Sequence, residues 1–120
     1  MQYLLLMYAN EADWDSMPGD TSSAMIAEFG AFTQGIIASG HYKGGNRLDL
    51  VSKATTVRVR DGKRSVTDGP FAETKEQLGG YYLVEAADLD EAIELAGRIP
   101  GARIGSVEIR PVPPMGPPPA

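Results

Sequence analysis

Tyr3, Leu4, Leu5, Leu6, Met7 and Tyr8 are six apolar residues in succession. Side chains of a strand alternate between the two faces of its sheet, so an unbroken apolar run needs cover on both sides. The run therefore predicts a central strand and constrains everything around it. With 120 residues there is room for one domain with a real core, and little for a second. Whatever the chain packs on one face of this strand, something apolar must also lie on the other.

The rest of the chain alternates helix and strand signals. Residues 10–20 read as a polar loop around Trp14, Pro18 and Gly19. Thr21 or Ser22 can cap the helix that follows, which runs to about Ser39 and stops at Gly40. Met25, Phe29, Phe32 and Ile36 form its buried stripe, with Ile26, Thr33 and Ile37 beside it. Between Ser22 and Ser39 the only charge is Glu28, so this helix is largely covered or rests partly against another subunit.

Residues 41–50 predict a strand or irregular ribbon. Thr56, Arg58 and Arg60 then alternate with Val57 and Val59, Asp61-Gly62 supplies a turn, and residues 64–67 return as the second arm of a hairpin. A strong strand is expected at residues 81–85. Asp88 and Glu91 have capping-box spacing at the start of a second helix, which turns Leu89, Ala92, Ile93 and Ala96 inward and ends at Pro100-Gly101. In the last strand, residues 106–112, Val107 and Ile109 share one face while Glu108 and Arg110 share the other. The domain thus spans residues 1–112. Residues 113–120, rich in proline, are expected to be a flexible solvated tail of polyproline character.

Strand, helix, hairpin, strand, helix, strand is the order of an α+β domain of ferredoxin-like type with an inserted β-hairpin. Both helices then cover one face of the sheet. On the bare face, alternate residues of the first strand join Tyr81 and Leu83 in an apolar patch too large for a monomer. A two-fold homodimer with its sheets face to face removes that patch.

A formal net charge of -5 opposes direct binding to nucleic acid and to anionic membranes. The absence of cysteine excludes disulfides, thiolate nucleophiles and cysteine-bound metals. The apolar start is too short for a membrane span and lacks the basic flank and cleavage region of a secretory signal, so a cytoplasmic location is expected.

Candidate chemistry concentrates in residues 68–82, DGPFAETKEQLGGYY. Asp68 can act as a general base, or it can accept backbone amides in the turn that Gly69-Pro70 makes. Phe71 is expected to anchor its loop in the core or a dimer interface. Glu73 is a second proton acceptor and Lys75 a holder of anions, although a solvated turn accounts for both equally well. His41 is suited to proton transfer, or to favourable electrostatics at a helix C-terminus. Asn46, Arg47 and Tyr81 are candidate ligand contacts; Gly44-Gly45 and Gly79-Gly80 mark bulges or close approaches of chains. Arg58, Arg60, Arg64 and Arg110 are solvated or meet carboxylates of a partner chain. No metal site or cofactor is expected.

The run DGPFAETKEQLGGYY, with TTVRVRDGK before it and DLDEAIELAGRIPGA and SVEIRPV after it, resembles the DGPF branch of the YCII-related family. The resemblance implies a dimeric ferredoxin-like α+β barrel. Some members are proposed to be enzymes that use a His–Asp pair in a cleft, and members of this branch are often encoded beside extracytoplasmic-function sigma factors. In the better-known branch the histidine lies roughly three turns before the glycine that ends the first helix. Here that region reads Glu28, Phe29, Gly30, Ala31, and His41 follows the helix, while Asp49 stands where the partner aspartate would. The expectation is a cleft near the DGPF loop that binds, or acts on, a small polar or anionic molecule. The alternatives are a regulatory partner of a sigma factor and a non-catalytic dimeric scaffold.

Overall fold

A computed structural model describes residues 1–115, so most of the expected 113–120 tail lies outside the described residues. The apolar run falls in β1 (Gln2–Ala9), which lies inside a four-stranded antiparallel sheet. It pairs with β5 (Gln77–Glu85) on one side and β6 (Ser106–Val112) on the other. Strand β2 (Tyr42–Arg47) extends the sheet beyond β5, giving the order β2-β5-β1-β6.

Two helices pack on one face, α2 (Gly19–Ala38) and α3 (Leu89–Gly97). Tyr3 and Leu5 of β1, with Tyr82 and Val84 of β5, form the floor of the core, and Ile36, Ala92, Leu95, Ala96 and Ile99 close it from above. Phe32 meets the Tyr82 ring edge-on at 5.3 Å between centroids. Leu4, Leu6, Tyr81 and Leu83 occupy the alternate positions, and each stays partly exposed on the open face. The expectation of an α+β domain with both helices on one face of the sheet therefore holds.

Several local expectations are corrected. Residues 10–20 are not all loop: α1 (Glu11–Asp15) forms because the Asn10 side chain accepts the Ala12 amide at 2.9 Å and Glu11 and Asp13 sit in its first turn. Neither Thr21 nor Ser22 caps α2, which begins one turn earlier behind Pro18; Ser22 instead donates its hydroxyl to the Gly19 carbonyl. In α3 the buried stripe is Ala92, Leu95 and Ala96, whereas Leu89 and Ile93 are about half exposed. The helix is rotated so that small alanines lie against the sheet, and the larger Leu95 fills the gap beside them. Half of the capping box forms as expected, with Asp88 accepting the Glu91 amide; Glu91 reaches one residue further back, to the Ala87 amide rather than that of Asp88.

The inserted hairpin, β3 (Thr55–Arg60) and β4 (Lys63–Asp68), is a separate two-stranded sheet. Asp61 and Gly62 both have positive φ, 54° and 74°, as a two-residue hairpin turn of matching twist requires. Val57, Val59 and Val66 are each more than half exposed. The hairpin projects from the body, and the radius of gyration is 16.9 Å against about 14 Å for a compact chain of this length. Phe71 is 78% exposed, so it does not anchor its loop in the core of this chain. Its only described tie is the Arg58 guanidinium donating to its carbonyl at 3.3 Å. The Gly69-Pro70 bond is trans. Among the described residues no helix is long and apolar enough to cross a membrane.

Candidate functional site

The two glycine pairs come together in space. Gly45 lies opposite Tyr82 and Arg47 opposite Gly80 in the β2–β5 ladder. A Cβ at Gly45 would stand 2.9 Å from the Tyr81 carbonyl oxygen, and one at Gly80 would stand 2.9 Å from that of Asn46. The sheet is bare backbone at both points. Gly79 is the extra residue of a bulge, because β5 skips it between its pairings with Met7 and Tyr8. The Tyr82 ring closes over Gly45 and the Met7 methyl over Gly80, each 3.0 Å from where a Cβ would stand, and a cavity of about 400 Å³ lies between the end of the sheet, α1 and α2. Trp14, Phe29, Tyr42, Tyr82, Leu48 and Leu50 are among the residues that wall it.

Most polar groups in the cavity are already paired. Thr33 gives its one hydroxyl hydrogen to the Phe29 carbonyl at 2.8 Å, so the 2.7 Å contact with Tyr82 has tyrosine as donor. Gln77 accepts the Glu11 amide and donates to the Thr74 carbonyl. Glu11 accepts the Val51 amide at 3.1 Å, and the Asn46 amide donates to the Tyr81 hydroxyl at 2.8 Å. Arg47 also lines the cavity, and among the described residues no carboxylate pairs with it.

A second, more open groove of about 540 Å³ lies between α2 and α3 and contains His41. Here Ser39 Oγ is 2.7 Å from His41 Nδ1, and His41 Nε2 is 3.1 Å from Glu91 Oε1. The single Ser39 hydroxyl hydrogen also has the Ile36 carbonyl within reach at 3.2 Å, so Nδ1 is not its only acceptor. The amides of Ser39, Gly40 and His41 are spent on the carbonyls of Gly35, Ile37 and Ile36, leaving none of them to stabilise an oxyanion beside Ser39. The direct structural consequence of these contacts is to tie the end of α2 to the capping box of α3.

The residues singled out in the sequence are thus divided. Arg47 lines the aromatic cavity from the helix-side face of the sheet, while Asn46 and Tyr81, a cross-strand pair of the open face, border it at the sheet edge. His41 lies in the groove, with Ser39 and Glu91 as partners rather than Asp68 or Glu73. Asp68 ends β4, and Glu73 and Lys75 follow in an irregular segment; all three are exposed and line neither space. No amide donates to Asp68 among the described bonds, and the turn is held instead by the Gly69 amide on the Ala54 carbonyl and by Thr56 on the Gly69 carbonyl. Asp49 is exposed and accepts the amide of Leu50. Sequence reasoning missed Phe29 as a cavity wall, reading it only as part of the buried stripe of α2. The available signal was the two glycine pairs on strands that prove to be neighbours.

On the open sheet face, Arg110 donates to Glu108 at 2.8 Å and Tyr8 donates to the same carboxylate at 3.2 Å. The Arg110 hydrogen bond, helped by that from Tyr8, holds the Glu108 carboxyl below the ordinary carboxylate range. Desolvation first, and then Glu108, pushes the Tyr8 phenol up. A carboxyl lowered on folding contributes stability that is present above its unfolded pKa and lost as pH falls through the folded value. Urea midpoints measured at decreasing pH should therefore fall less steeply in Glu108→Gln than in the parent below about pH 4.3. Superimposable acid limbs would remove this role for Glu108.

An antiparallel sheet with two helices on one face defines an α+β domain. The sequence model of the YCII-related domain matches residues 1–116, and the chain belongs to that family. It is 35% identical over 114 residues to an uncharacterised protein of Rhizobium meliloti, with 93% of this chain and 92% of that relative aligned.

Proposed function

We propose that this YCII-family protein is a small-molecule-binding protein that works as a homodimer, with the aromatic cavity as its binding site. The observation that carries this reading is the cavity itself: about 400 Å³, walled largely by apolar and aromatic side chains, with a few oriented polar groups. Pockets of this size and character are where small molecules bind. The antiparallel order β2-β5-β1-β6, with both long helices on one face, supports a ferredoxin-like arrangement. The half-covered Leu4, Leu6, Tyr81 and Leu83 support a second copy packed on the open face. The exposed Asp68, Phe71, Glu73 and Lys75 fit a DGPF loop that meets a partner chain better than one that forms a reaction centre.

Trp14 is the only tryptophan in the chain and lines the cavity, so it reports occupancy. Titration with anilinonaphthalene sulfonate should give saturable dye fluorescence excited by energy transfer from Trp14, at about one dye per chain. Absence of saturable binding, or binding with no transfer from Trp14, would refute the cavity as the site.

A further inference from the structure

We infer that the ligand is an apolar organic acid, its aromatic or bulky hydrocarbon body enclosed by the cavity and its carboxylate held by Arg47; this rests on the cavity being the binding site. The argument begins with register. Arg47 pairs directly with Gly80, and cross-strand partners share a face, so the arginine rises on the helix-side face over a position that has no side chain. Gly80 is buried there against Asn46 backbone and the Met7 side chain. Arg47 thus lines the cavity from its exposed rim, beside the Met7 methyl that covers Gly80.

The polar inventory then selects the ligand's sign. Thr33, Tyr82, Gln77 and Asn46 already satisfy one another or the backbone. Glu11 is the one carboxylate lining the space; one of its oxygens is held by the Val51 amide, and it lies in the first turn of α1. The side chains left wholly without a partner among the described bonds are the Arg47 guanidinium, the Trp14 indole and the Tyr42 hydroxyl, each able to donate, while Glu11 and Asn46 each keep one unpaired oxygen. The one cation among them, a planar bidentate donor, favours an anionic acceptor at its own end of the cavity. The remaining wall is apolar, which favours a hydrocarbon body over a sugar or nucleotide. An exposed arginine on an acidic chain also draws the anion in by local rather than global charge.

The test is binding of diphenylacetate and of its neutral isostere diphenylacetamide to the full chain, followed by calorimetry and by Trp14 fluorescence. The acid should bind at least about tenfold more tightly than the amide, as a charge-assisted pair predicts. In Arg47→Gln that preference should vanish while amide binding stays within about twofold, which also shows that the variant is folded. Equal binding of acid and amide by the parent would overturn the assignment while leaving the cavity as the site. A preference that survives in Arg47→Gln would overturn the role of Arg47. Neither heat nor fluorescence change with either compound would overturn the cavity reading beneath it, and the inference with it.

Discussion

Gly105→Ala should destabilise the domain by about 3 kcal/mol or more, at the upper end of the range for overpacking substitutions. Gly105 has no special φ, and nothing in its sequence context marks it. It joins the short 3₁₀ turn Pro100–Arg103 to β6, with its amide fixed on the Gly101 carbonyl at 2.9 Å. A Cβ there would run into the Tyr8 carbonyl oxygen and stand 3.1 Å from Ala9 Cα. These are backbone atoms of the central strand, so no rotamer change relieves the clash. The first turn of β6 or the end of β1 must shift, and Tyr8 pairs with Ser106 at that point. Gly30 and Gly35 provide the contrast, because a Cβ at either meets nothing within 4 Å in α2. Their alanine variants should gain about 0.5–1 kcal/mol from helix propensity. Urea unfolding checks both statements, and a Gly105→Ala midpoint equal to that of the parent would show that the connection is slack.

Leu5→Ala and Leu6→Ala, neighbours of identical chemistry, should behave differently. Leu5 is fully buried under the helices and belongs to the core with Tyr82, Val84 and Ile36. Its truncation should cost about 2–5 kcal/mol, partly as transfer free energy and partly as the cavity left behind. That is a large share of the 5–15 kcal/mol or so that holds a domain together. Leu6 lies opposite Tyr81 and Glu108 on the open face and is only partly covered by its own chain. Truncating it should leave the unfolding of dilute protein nearly unchanged and weaken self-association instead. Sedimentation velocity against concentration, run beside urea unfolding, separates the two effects. A parent that sediments as a monomer at every concentration would remove the second copy from the open face.

Much of the architecture was legible because it rests on periodicity. The uniform apolarity of β1 required a central strand, the stripe from Met25 to Ile36 required a helix, and Asp61-Gly62 required a hairpin. Local chemistry failed where competing local options were close in energy. Asn10 captured an amide and turned part of a loop into α1, and Pro18 displaced two adequate hydroxyl caps. In α3 the choice between Ile93 and Leu95 for the core depended on how close the helix could approach the sheet, which alanines on that side decided.

The candidate site was only half legible. Asn46, Arg47 and Tyr81 all border one cavity, whereas Asp68, Glu73 and Lys75 lie exposed and apart from it. The sequence by itself determined the elements, their order and the need for apolar cover on both faces of β1, because these follow from side-chain alternation along a single strand or helix. Only the tertiary structure decided that Gly45 and Gly80 would lie on adjacent strands, with the Tyr82 ring and the Met7 methyl packed over them. It also decided that Trp14 and Phe29 would wall the space above, and that Arg47 would rise over a glycine with no carboxylate to pair with. Those relations depend on inter-strand register and a bulge at Gly79, set by the packing of segments more than thirty residues apart.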